Sequence, residues 1–282
     1  INYLVRATKY IDRFTRREFF PWRQTRKFAI PHKYADLAMR RFTMANLYFD
    51  QDLLEVYELT NSNGDALEET TDYFLIEANI SPKNAVQLKF PNYWGGGFNT
   101  FTWSKSIDDP VLVVDALWGF HNTYGRDNEA WIDTYDTVHT DGILSTDKTI
   151  KVGPLDQTDA LSMPRYSPGY LLKVGTEFME VVKLNQGTDP DSDPDNVTVI
   201  RGVRGTTAVD HTDPTVKIYR WNVMPEITQA CLQIAKTWRE SDTSAGGRLG
   251  VSDYSAGVEI GIPADPLNVI KMYQRSLITV NS

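Results

Sequence analysis

The chain has 282 residues, 41% of them apolar and 23% charged, and carries a formal net charge of −8. Those are ordinary values for one large domain, or one domain carrying a second, with a real buried core. A single cysteine, Cys231, excludes an intrachain disulfide and a cysteine-rich zinc site. No run approaches the roughly 20 apolar residues that cross a bilayer, so no membrane partner is expected, and the N-terminus carries no signal-like apolar region. The chain opens on Ile1 rather than Met, which leaves a removed leader open. The charge is uneven: residues 1–45 hold eleven Lys/Arg against three Asp/Glu, leaving 18 basic against 34 acidic residues in the remainder. A basic end on an acidic body points to an acidic partner, or to no more than a solvated helix face, and argues against strong DNA binding.

In chain order, Leu4, Ala7, Ile11 and Phe14 recur at three- and four-residue steps, with Arg6, Lys9, Arg13, Arg16 and Arg17 mostly off that stripe. This predicts an amphipathic helix ending near Arg17, ahead of Pro21. A strand follows over 22–30, then further strands at 53–59, 73–76, 86–90 and 111–114, separated by turn signals such as Asn63-Gly64-Asp65. Trp94-Gly95-Gly96-Gly97 reads as a glycine-rich aromatic loop. Residues 119–221 are turn-rich, with short strands at 149–152, 170–174, 177–184, 197–201 and 216–221, the spacing of a small antiparallel domain, barrel-like or sandwich-like. Ile227, Ala230, Cys231, Ile234, Ala235 and Trp238 then predict a helix opened by Pro225. After a polar loop over 241–261, Asp265-Pro266 opens a last helix carrying Leu267, Ile270, Tyr273 and Leu277. The order is α+β, with a middle module inserted into a domain made by both chain ends.

Motifs for catalysis do not appear: there is no G-x-G-x-x-G, Walker loop, G-x-S-x-G or H-E-x-x-H. His32, His121, His139 and His211 stand apart and read as lone loop histidines. Cys231 sits on an apolar stripe and reads as an inert buried thiol. Asp189, Asp191, Asp193 and Asp195 alternate like a calcium loop, but two prolines interrupt them and the turn glycine and distal glutamate are missing. A solvated acidic hairpin tip is the competing reading. Trp94, Trp103, Trp118 and Trp131 are candidates for a sugar platform, or for core. On these grounds the chain is expected to be no enzyme and to need no cofactor.

The run Ala7-Thr8-Lys9-Tyr10-Ile11-Asp12-Arg13-Phe14-Thr15-Arg16-Arg17-Glu18-Phe19 resembles the first helix of the phage head-to-tail connector (adaptor) family. The stretches 52–65 and 71–75 look like that family's central strands, and 111–114 with Leu117-Trp118-Gly119 like the strand before its next helix. Residues 250–255 and 263–277 match its late loop and terminal helix. The segment 119–221 departs from it, and within it 175–181 and 199–208 with His211 look like a β-module of other phage structural proteins. The resemblance implies a helical connector core with a small antiparallel sheet, divided as 1–118 and 222–282 around an inserted β-domain at 119–221. It also implies a ring, expected to be a dodecamer, in the virion neck between portal and head-closure or tail proteins. Double-stranded DNA would pass through without specific contact, and assembly would occur in the host cytoplasm. Portal docking would run through 265–282, with Leu267, Ile270, Tyr273 and Leu277 as contacts. Arg13, Arg16 and Arg17 would face an acidic protein surface or lie near DNA. A tail-associated carbohydrate-binding or receptor-binding module is the alternative.

Overall fold

The computed structural model describes residues 2–29, 44–61, 64–76, 81–89, 111–126, 129–188, 195–243 and 264–275. The chain divides into two compact units, one built from Ile1–Phe19 with Val223–Ser282 and one from Phe20–Asn222.

The first unit holds three helices among its described residues, α1 (Asn2–Thr15), α2 (Pro225–Thr243) and α3 (Ala264–Met272). Their apolar stripes face one another: Ala7 and Ile11 of α1, Ile227, Ala230, Ile234 and Ala235 of α2, and Ile270 of α3 are all buried. Tyr10 stacks on Phe14 and meets Trp238 edge-on at 5.8 Å. α1 ends where Arg16 turns into the left-handed region at φ 57°. The free carbonyl of Thr15 then accepts the Arg275 N–H at 2.9 Å, so the segment after α3 caps α1. No helix among the described residues is long and apolar enough to cross a membrane.

The second unit holds two antiparallel sheets. The first comprises β1 (Trp22–Ala29), β2 (Met44–Thr60), β3 (Tyr73–Leu75), β4 (Lys83–Lys89) and β5 (Val111–Trp118), in the order β1-β5-β2-β4-β3. Its core contains Phe49, Leu53, Leu59, Val86, Leu88, Leu112, Val114 and Trp118, at most 4% exposed. The second comprises β6 (Trp131–Thr137), β7 (Thr149–Lys151), β8 (Leu171–Val174), β9 (Glu177–Asn185), β10 (Asn196–Ile200) and β11 (Lys217–Trp221), in the order β6-β11-β8-β9-β10-β7. It buries its own set, including Ile150, Leu172, Val174, Met179, Val181, Val197 and Ile218. Its edge strands are bridged by side chains: Asp136 of β6 accepts the amide of Gly153, two residues past β7, at 3.2 Å.

This corrects the expected α+β fold with a helical core and a small sheet. The described chain is mostly β, with eleven strands against three short helices. The physical reason lies in where the large side chains go. The two sheets fully bury large aromatic and branched residues in separate clusters, whereas the buried apolar residues of the helices are chiefly alanines and isoleucines and their aromatic rings are only partly covered. A 3.6-residue stripe is easy to see in a sequence, but it does not measure how much apolar surface an element contributes. β6 was not expected at all. Its Thr134 and Asp136 interrupt the apolar alternation, yet Thr134 turns inward and donates to the Ile218 carbonyl at 2.7 Å.

The sheets are joined by the loop after β10. The Arg23 N–H of β1 donates to the Arg204 carbonyl at 3.0 Å. Gly202, Arg204 and Gly205 all adopt positive φ (59°, 53° and 80°) to bring the loop there. A Cβ on Gly205 would lie 1.9 Å from the Arg23 carbonyl oxygen, so only glycine fits. Gly64 also has positive φ, at 84°, but in open space. Gly64→Ala should therefore cost only the left-handed penalty, about 1 kcal/mol. Gly205→Ala must also move backbone and should cost about 3 kcal/mol or more. Urea unfolding of the two variants checks this, and equal losses would show that the loop does not pin the sheets.

Candidate functional site

The densest polar cluster is centred on Glu177, the first residue of β9. A strand of period two places Glu177 on the same face as Met179 and Val181, both core residues, so its carboxylate enters the interior. A buried carboxylate needs partners. Arg201, at the end of β10, donates from Nε to Oε1 at 2.6 Å and from Nη2 to Oε2 at 2.7 Å. The amides of Gly202 and Val209 donate to Oε1 and Oε2 at 3.0 and 3.1 Å, and His211 Nε2 lies 3.0 Å from Oε2. The rest of the guanidinium is also used: Nη1 donates to the carbonyls of Leu144 and Asp147, and Nη2 to that of Val209. His211 forms a bridge with Ile143 through two 2.8 Å backbone hydrogen bonds.

Burial alone would raise the Glu177 pKa. The Arg201 guanidinium, the Val209 amide and His211 outweigh it and hold the carboxyl below its ordinary value of 4.5. Both carboxylate oxygens are fully engaged, so the cluster holds the loops 143–147 and 201–211 and offers no position to a substrate. His211 is thus not a lone loop histidine. Nor is His121, 3% exposed, whose Nε2 donates to the Asn222 carbonyl at 2.8 Å while Nδ1 accepts from Thr123. Burial lowers its pKa against the opposing pull of that carbonyl, which keeps the ring neutral at pH 7. His139 is exposed, 3.4 Å from Asp141, and His32 lies outside the described residues.

A cleft of about 690 Å³ opens beside β6 and β7, lined by Tyr135, His139, Lys151, Asp156, Gln186 and Asp195 among others. Asp195 is the one aspartate of the alternating run that is described, and its carboxylate accepts the amides of Leu155 and Gly187 at 2.6 and 2.7 Å. Asp189, Asp191 and Asp193 lie outside the described residues, and no group of three His, Cys, Asp or Glu among the described residues could hold a metal ion. Asp136 at the cleft wall is engaged by Arg165 at 2.9 Å and by the Tyr166 hydroxyl at 2.7 Å. Cys231 is half-buried, 3.5 Å from the Thr8 hydroxyl, and burial pushes its thiol pKa up, away from the reactive thiolate.

Two of the expected sugar-platform tryptophans are core. Trp118 is fully buried, and Trp131, 9% exposed, packs on Phe178 and Trp221. Trp94, Trp103 and the Gly95–Gly97 loop lie outside the described residues. Of the expected interface residues, Arg13 and Arg16 are exposed at the end of α1 and Arg17 is half-buried. Leu267 is half-buried, Ile270 fully buried, and Tyr273 half-buried with its ring edge-on to Phe19 at 6.2 Å. Leu277 and the polar loop beyond Thr243 are outside the described residues. Comparison with protein-family models, curated proteins and solved structures returns no match for this chain.

Because the folded-state pKa of Glu177 is depressed, its contribution to stability is complete above pH 4.5 and is lost as pH falls through the lower folded value. Glu177→Gln should cost about 3 kcal/mol at neutral pH, as expected for breaking a buried pair. It should also flatten the loss of stability below pH 4.5. Chemical denaturation of both proteins across that range is the check. Parallel pH curves would remove Glu177 as the titrating group.

Proposed function

We propose that this chain is a structural subunit of a tailed-phage neck, a connector assembling as a ring between the portal and the head-closure or tail proteins, with no catalytic role. The reading starts from the sequence resemblance. The single observation that supports it is the meeting of the two ends: the run of residues 7–19, which begins in α1, and the helices α2 and α3, which carry the resemblance from opposite ends of the chain, belong to one compact unit. They are tied by the Arg275 amide on the Thr15 carbonyl. A connector needs such a self-contained unit to present to its neighbours, and a genome channel needs walls that do not hold phosphate. An acidic body suits the second requirement, since duplex DNA finds little counter-charge on it. On this reading the ring is a dodecamer in the virion neck, assembled in the host cytoplasm. The carbohydrate-binding alternative finds no support among the described residues, because Trp118 and Trp131 are core.

The portal contact falls to the C-terminal end. Ile270 is part of the unit's core, so deletion of 265–282 would damage the fold itself. Met272, 83% exposed on α3, can be reached by a partner without unfolding the unit, and the sequence resemblance assigns the docking to 265–282, of which 276–282 lie outside the described residues. The full chain should show rings with an axial hole in negative-stain images. A stop after Arg275 combined with Met272→Glu should weaken portal binding at least about tenfold, or about 1.4 kcal/mol, with helical circular dichroism unchanged. Unaltered portal binding by that variant would refute the docking role.

A further inference from the structure

The turn over 159–163 is organised far more heavily than a surface turn requires. Asp159 has a fully buried side chain and forms an ion pair with Arg220, itself 6% exposed. Arg220 donates from Nε at 2.8 Å and also from Nη2, and its guanidinium lies 4.9 Å from the Tyr170 ring centroid. The other Asp159 oxygen accepts the amides of Leu161 and Met163 at 2.9 and 3.1 Å. Backbone hydrogen bonds from Asp159 to Met163 and from Ser162 to Asp159 close the loop, and Ser162 sits at φ 58°. All this holds two large apolar side chains outward: Leu161 is 50% and Met163 48% exposed. Ala160 and Pro164 are exposed beside them, so the whole tip is apolar apart from Ser162. An apolar knob on a rigid turn loses little entropy when it docks, which is the physics of an interface anchor.

The tip is preceded along the chain by an exposed carboxylate, Asp156. The complementary surface is an apolar strip with a basic rim, and the chain carries one. On α1, Leu4 and Val5 are 45% and 48% exposed, and Val5, Lys9 and Arg13 follow at four-residue steps on the solvent side. We infer that the 159–163 tip docks on the exposed face of α1 in a second copy of this chain, Leu161 and Met163 meeting Leu4 and Val5 while Asp156 faces Lys9. The contact is heterologous, one surface meeting a different surface, so it propagates from copy to copy as a ring requires. It rests on the ring reading above and gives that ring a specific joint.

The test uses the full chain and measures self-association by sedimentation velocity and negative-stain imaging. Leu161→Asp with Met163→Asp should weaken association at least tenfold while near-ultraviolet circular dichroism stays native. Lys9→Glu alone and Asp156→Lys alone should each weaken it, and the two combined should restore it. Rings that persist unchanged in the Leu161/Met163 variant overturn this joint but leave the ring reading standing. A wild-type chain that stays monomeric at every concentration overturns both. Should the two charge reversals weaken association with no rescue on combining them, α1 is not the tip's partner and the inference fails.

Discussion

The buried pair of Glu177 and Arg201 is the interaction on which the larger unit depends. An isolated buried ion pair is a poor stabiliser, because removing both charges from water costs about as much as their attraction returns. Here the desolvation is offset by completeness: the carboxylate also takes two backbone amides and a histidine, and the guanidinium also reaches three carbonyls. The consequence extends beyond the pair. Holding 201–211 in place sets Gly202, Arg204 and Gly205 in their left-handed conformations, and that loop is what meets β1 of the first sheet. Neutralise Glu177 and the joint between the sheets loses its anchor.

The same solution recurs twice more in the second sheet, as Asp136 with Arg165 and Asp159 with Arg220. In each case the carboxylate accepts backbone amide hydrogen bonding as well as the arginine. The strands there run from three to nine residues, so a large share of the backbone lies in turns that cannot satisfy their own amides through a ladder. Acidic side chains drawn inward supply those acceptors, and arginines balance their charge. Part of the acidic composition thus has a structural origin, and the aspartate content of the module is no measure of catalysis or metal binding.

The helical unit works by different means. Its contacts are largely apolar and aromatic, and the end of α1 is capped by backbone from the segment after α3. The outward face of α1 is basic at Lys9 and Arg13, while the 119–221 segment exposes Asp156 close in sequence to the apolar Leu161 and Met163. Surfaces of both kinds on one chain are what the proposed contact between copies would pair.

Sequence patterns read locally were enough for most of the elements. The stripe of α1, the proline-opened α2 and the β-branched runs of β7 to β11 are properties of neighbouring residues, and neighbours suffice to reveal a period of 3.6 or 2. They were not enough for β6, where the polar Thr134 is buried beside Trp131 and Ile132 and breaks the apolar alternation, nor for the weight of the fold, which lies in the sheets. The Glu177 cluster had one faint local sign, a glutamate in phase with Met179 and Val181, which demanded a buried partner without naming it. Arg201 and His211 stand 24 and 34 residues away. Pairing across such distances is chosen by the fold that brings β9, β10 and two loops together, and no spacing along the chain encodes it. The sequence by itself determined the helices, most of the strands and the charge asymmetry. Only the tertiary structure decided that key charged residues of the middle segment turn inward to hold it together, because burial is a property of the packed molecule and not of the residue.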